Sequence, residues 1–149
     1  MLFFLHQISE LRCGWNKKPL SEEVFHRLCK RRKITVVEMP LRTGGFYYCV
    51  KGKHYIAIDS KLRRFEKLFV MFHEFAHYLM HAPDADTTAN FHGVGKRTRK
   101  EREADAFALC ALIPTKWIES RTMEELHEEE GIPLEMLRER MEIYENYRI

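Results

Sequence analysis

Apolar side chains between residues 60 and 81 recur at three- and four-residue steps: Phe65, Leu68, Phe69, Phe72, Ala76, Leu79 and Met80. That spacing lays them along one stripe of a helix. It predicts a helix from an N-cap at Ser60 to about His81, where Ala82-Pro83-Asp84 breaks the pattern. A second stripe, Ala104, Phe107, Ala108, Ala111 and Leu112, defines the inward side of another helix. Upstream, Leu20-Ser21-Glu22-Glu23-Val24-Phe25 carries a helix start, with Ser21 as N-cap and Leu20 placed to pack on Phe25, and this helix ends near Lys33.

Between these helices the period shortens to two. Ile34 to Glu38 is a short β-branched run. Phe46 to Val50, a Lys51-Gly52-Lys53 turn and His54 to Ile58 then read as a hairpin, giving a three-stranded sheet. The helix after the last strand should lie beside that sheet. Ile132-Pro133 opens a final helix with Leu134, Leu137, Met141 and Tyr144 on one side. The fold class is α+β: a small three-stranded sheet packed beside a helical core, followed by C-terminal helices.

Composition narrows the picture without redirecting it. A length of 149 residues with 45% hydrophobic content suits one domain spanning residues 1–149. Met1-Leu2-Phe3-Phe4-Leu5 is apolar but too short for a signal core or a membrane span and has no basic stretch before it, so a cytoplasmic protein is expected. Cys13, Cys29, Cys49 and Cys110 form no C-x-x-C pair and read as reduced thiols. Lys30-Arg31-Arg32-Lys33 and Lys96-Arg97-Thr98-Arg99-Lys100 are basic clusters, but a net charge of only +3 does not support nucleic-acid binding as the main activity. They and the acidic stretch Glu124, Glu125, Glu128, Glu129 and Glu130 read as solvated surface.

Chemistry enters at His73-Glu74-Phe75-Ala76-His77, an HExxH pattern inside the first helix. Residues four apart share a helix face, so both imidazoles can reach one zinc ion while Glu74 stands beside them as a general base. The bland alternative is a pair of hydrogen-bonded core histidines. A catalytic zinc needs a third protein ligand and an open position. The metzincin arrangement is excluded, because Pro83 stands where its third histidine would be and Met80 where its glycine would be.

The other common source is a glutamate on a later helix, and here Glu101 and Glu103 compete. At about 100° per residue, Glu101 lies three before Ala104 on the inward edge, whereas Glu103 projects roughly opposite. Glu101 is therefore the expected ligand and Glu103 a surface residue. Asp105 shares the side of Glu101 and could accept the free ring N–H of a ligand histidine. The competing role for Glu101 is a capping box over Thr98-Arg99-Lys100-Glu101.

With these pieces in place, the chain resembles the ImmA/IrrE-type zinc metallopeptidases, a gluzincin-like, zincin-type group. The matching segments are Gly45-Phe46-Tyr47-Tyr48 with Tyr55 to Asp59, Phe72 to His81, Glu101 to Ala108 running to Ile113-Pro114, and Glu125-Leu126 through Ile132-Pro133 to Leu137-Arg138. The resemblance implies that His73, His77 and Glu101 bind one zinc ion and that Glu74 is the catalytic base. It also implies a protein substrate, a helix-turn-helix repressor whose cleavage controls stress or mobile-element genes. No helix-turn-helix pattern is found in this chain. The alternatives are a toxin or antirepressor that keeps the metal site without proteolysis, and a DNA-associated regulator.

Hydrolysis calls for a further donor to a developing oxyanion. His92, Tyr78 and Tyr48 are the candidates, and His81 is read as capping its helix C-terminus. An open sheet edge is expected to pair with an extended substrate segment.

Overall fold

Ser21 starts α2 (Glu22–Arg31) as its sequence demands: its side chain accepts from the N–H of Val24, and Leu20 and Phe25 are both buried at that end. The computed structural model describes residues 4–82, 90–91 and 98–149 of the chain, residues 90–91 by their backbone alone. A short α1 (Leu5–Ser9) precedes α2 and sends Ile8 into the core.

The three expected strands form as β1 (Ile34–Met39), β2 (Gly45–Val50) and β3 (Lys53–Asp59). Lys51 and Gly52 turn the β2–β3 hairpin with φ of 50° and 76°, the left-handed geometry that a two-residue hairpin loop requires. Next to β3 on its other side, β1 runs parallel to it, Ile34 opposite His54. Beyond the expected three, a two-residue β4 (Asn90–Phe91) pairs antiparallel with β2, setting the order β1-β3-β2-β4. The expectation of open edges therefore holds only in part, since β2 is already paired at Phe46 and Tyr47.

Alternation divides the sheet into two faces. Gly45 and Tyr47 are buried toward the helices, whereas Phe46, Tyr48 and Tyr55 form a half-exposed aromatic cluster on the opposite face. Against the first face lies α3 (Arg64–His81), the helix carrying His73 and His77. It begins later than the sequence suggests, with Arg63 at its N-cap, because Asp59 claims the intervening residues for a turn. One Asp59 oxygen accepts from the N–H groups of Leu41 and Lys61, and Ser60 donates its N–H to Met39 instead of capping a helix. Lys67 then ties α3 to its neighbours, reaching Glu22 of α2 and Glu38 of β1 at 2.9 Å each.

Thr98 caps α4 (Arg99–Leu112), which packs along α3 and is buried continuously from Glu103 to Leu112. Beyond it come α5 (Thr115–Ser120), α6 (Met123–Glu130) and α7 (Leu134–Tyr147). Thr122 and Glu125 make a reciprocal capping box at the start of α6, and Gly131 ends it at a φ of 73°. Leu126, Ile132 and Leu137 carry the core into this region. Among the described residues no helix is long and apolar enough to cross a membrane. Cys29 and Cys110 are buried free thiols, pushed by burial up to about 12 and about 11.

Candidate metal centre

Most of α3 faces protein, so its polar motif enters the interior with it: His73, Glu74 and His77 are 0%, 0% and 1% exposed. Packed against that stretch, α4 delivers its first-turn glutamate to both imidazoles. Glu101 Oε2 lies 3.1 Å from His73 Nε2, and Oε1 lies 3.0 Å from His77 Nε2. The two Nε2 atoms are themselves 3.1 Å apart. Only half of the competing capping box exists: the Glu101 N–H reaches Thr98 Oγ1, while the carboxylate turns to the histidines.

Three donors this close form a group that could hold a metal ion. A tetrahedral zinc with bonds of about 2.0–2.1 Å would set its ligand atoms about 3.3 Å apart. The spacings of 3.0–3.1 Å in this cluster need little adjustment to meet that. Two nitrogens and a carboxylate oxygen also suit zinc chemically. Beside them, both oxygens of Glu74 are buried and, among the described residues, weakly satisfied: Oε1 lies 3.9 Å from His73 Nε2 and the Tyr47 N–H approaches the carboxylate. A carboxylate in that condition is costly to keep and is a mark of function. The residues present therefore fit a zinc ion, with the Glu74 carboxyl beside them.

The electrostatics follow from this crowding. Burial lifts the Glu74 carboxyl to about 8; the nearby His73 opposes the rise and the Glu101 charge adds to it. Burial alone would push the His73 imidazole down, but Asp105 and Glu101 outweigh it and hold His73 at about 9. Glu101 moves the other way: despite partial burial, its two histidine partners keep it far below the usual carboxylate range. A cation shared by these groups would take over the role that protons play between them.

Asp105, expected behind a ligand histidine, has its Oδ1 2.8 Å from His73 Nδ1. The oxyanion candidates fare differently. Tyr78 lies in an aromatic group with Tyr47 and His54 between α3 and the sheet. Tyr48 stacks on Tyr55 on the face turned away from α3, because it follows the inward Tyr47 by one residue. His92 lies outside the described residues.

Two residues near the centre contradict their sequence reading. His81 does not cap its helix: its Nδ1 lies 3.0 Å from His77 Nδ1 and its Nε2 lies 3.4 Å from Glu103 Oε1. Glu103 is not a surface residue but 7% exposed, because α4 is enclosed on both sides and has little outward face there. The signal for His81 was available, since His73, His77 and His81 continue one four-residue ladder.

An α+β fold whose helix-borne histidine pair meets a glutamate from a later helix defines a metallopeptidase-like class. The chain belongs to the peptidase family described as the IrrE N-terminal-like domain, whose model matches residues 29–142. It is similar to "Uncharacterized immunity region protein 2" of Bacillus phage phi105, with 33% identity over 103 residues, 62% of this chain and 61% of that protein. No solved structure matches the chain at a significant level.

Proposed function

We propose that this protein is a zinc-dependent endopeptidase whose substrate is a regulatory protein, a helix-turn-helix repressor. The observation that carries the reading is the meeting of His73, His77 and Glu101 beside the buried carboxylate of Glu74. His73 and His77 would hold the ion through Nε2, and Glu101 through its carboxylate. Zinc bound there supplies a Lewis acid that polarises a peptide carbonyl and makes water a stronger acid.

Glu74 takes the proton of the attacking water and returns it to the leaving amine. Asp105 accepts the Nδ1–H of His73 and keeps that ring's Nε2 lone pair turned to the ion. The repressor assignment draws on family membership and on a relative named for a phage immunity region.

Purified protein, loaded with zinc and incubated with helix-turn-helix repressors of its own genome, should cut one of them, with fragments read by mass spectrometry. Glu74→Gln should bind zinc as the parent does and lose cleavage by at least about 100-fold. A Glu74→Gln protein that still cleaves would refute the role given to this carboxylate. One that loses zinc would refute its separation from the ligand set.

A further inference from the structure

We propose that His81 and Glu103 act as positioning residues which fix the tautomer of His77 and so make its Nε2 lone pair available to the metal. This inference rests on the zinc reading of His73, His77 and Glu101. The two ligand histidines are supported differently. His73 Nδ1 meets the carboxylate of Asp105 directly at 2.8 Å. His77 Nδ1 meets another imidazole, His81 Nδ1, at 3.0 Å.

Two imidazoles facing each other through nitrogen need one donor and one acceptor, and nothing in that pair alone decides which is which. Glu103 breaks the tie. Its ionised carboxylate accepts and does not donate, so His81 Nε2, 3.4 Å away, carries the proton. A neutral His81 is then bare at Nδ1 and accepts the Nδ1–H of His77. With a metal in place of the proton shared with Glu101, His77 Nε2 is then left bare on the side of Glu101 and His73. The reversed chain would put the proton of His77 on Nε2, where no metal could bind.

The rest of the surroundings holds this chain in place. His81 and Glu103 are 6% and 7% exposed, which limits competition from water for either hydrogen bond. Phe4 packs edge-on against the His81 ring at 6.1 Å, and Arg99 Nε lies 3.7 Å from the Glu103 carboxylate. The ring of His81 is thus braced on one side and its acceptor steadied on the other.

The test is zinc affinity, measured by competition with a chromophoric chelator, together with ¹⁵N imidazole shifts of the zinc-loaded protein. His81→Leu and Glu103→Leu should each weaken zinc binding about 10- to 100-fold, the usual consequence of removing a group behind a ligand histidine. His81→Gln, whose side-chain carbonyl can accept the His77 proton, should recover most of the loss. In the wild type, the shifts should place the His81 proton on Nε2. A merely structural role would lower the melting temperature while the folded variants kept full affinity, and that result would overturn the proposal. A His81 proton found on Nδ1 would overturn it even if both leucine variants failed to fold. A folded wild type that binds no zinc would defeat the zinc reading itself, and this inference with it.

Discussion

Arg140 and Asn16, 124 positions apart in sequence, meet inside the protein, where Nη2 of the guanidinium donates to Asn16 Oδ1 at 3.0 Å. The same oxygen accepts from the N–H and the hydroxyl of Thr115, each at 3.0 Å. Arg140 also donates through Nε to the carbonyl of Ile113 at 2.6 Å, and its side chain is 0% exposed. One planar fork therefore joins α7, the start of α5 and the loop before α2. Arg140→Met fills much of the volume but strands these acceptors, so it should cost about 3 kcal/mol of stability in urea unfolding. Arg140→Lys should lose nearly as much, since an ammonium cannot reach all the directions of the fork. A change below about 0.5 kcal/mol would show that the network adds little.

At Gly45 the sheet lies close against Val70 of α3. A Cβ there would stand 2.6 Å from the Ala57 carbonyl oxygen and 2.8 Å from Val70 Cγ1. The first contact is backbone held in the β2–β3 ladder and cannot move aside cheaply. Gly45→Ala should destabilise by about 1–3 kcal/mol, and adding Val70→Ala should restore only part of that. Full restoration by the double variant would mean that the side-chain contact alone sets the requirement for glycine.

Asp59 gives a pH signature away from the metal centre. Burial would raise its pKa, but the N–H groups of Leu41 and Lys61 and the Lys61 ammonium outweigh this and hold it below the usual value of 3.8. A carboxyl whose folded pKa is depressed contributes stability above its unfolded pKa and loses it as pH falls through the folded one. Asp59→Ala should therefore melt below the wild type at pH 7. The gap attributable to the charge should close as pH falls from about 5 to below the folded-state pKa of Asp59. Thermal melts at matched pH would show this, and a gap constant over that range would remove the charge from the explanation.

The sequence made the centre legible where periodicity controls it. The four-residue spacing of His73 and His77, and the phase that set Glu101 and Asp105 on one side of α4, both correspond to contacts in the structure. The same rule misplaced Glu103, because phase assigns an outward face only to a helix that has one, and α4 is enclosed from Glu103 onward. Arg140 was illegible for another reason: its acceptors lie at residues 16, 113, 115 and 149, and no local pattern announces a buried arginine. Tyr48 shows how one residue of register decides a role, since the inward position belongs to Tyr47. The start of α3 was missed because Asp59 organises a turn that outcompetes Ser60 as a cap.

Glu74 should set catalysis against stability. Its two oxygens are buried and weakly satisfied among the described residues, and burial lifts the carboxyl to about 8, far from the 4.5 at which a free side chain ionises. Folding the metal-free protein at neutral pH therefore requires either protonating this group or burying its charge, and both cost free energy. Glutamine has nearly the same shape, carries no charge and can donate as well as accept. Metal-free Glu74→Gln should then be more stable than the metal-free wild type by on the order of 1–3 kcal/mol and unfold at a higher temperature. Calorimetry in the presence of a chelator would measure the difference. A lower midpoint for the variant would mean that the carboxylate stabilises the fold, and the case for a group retained for chemistry at a structural cost would fail.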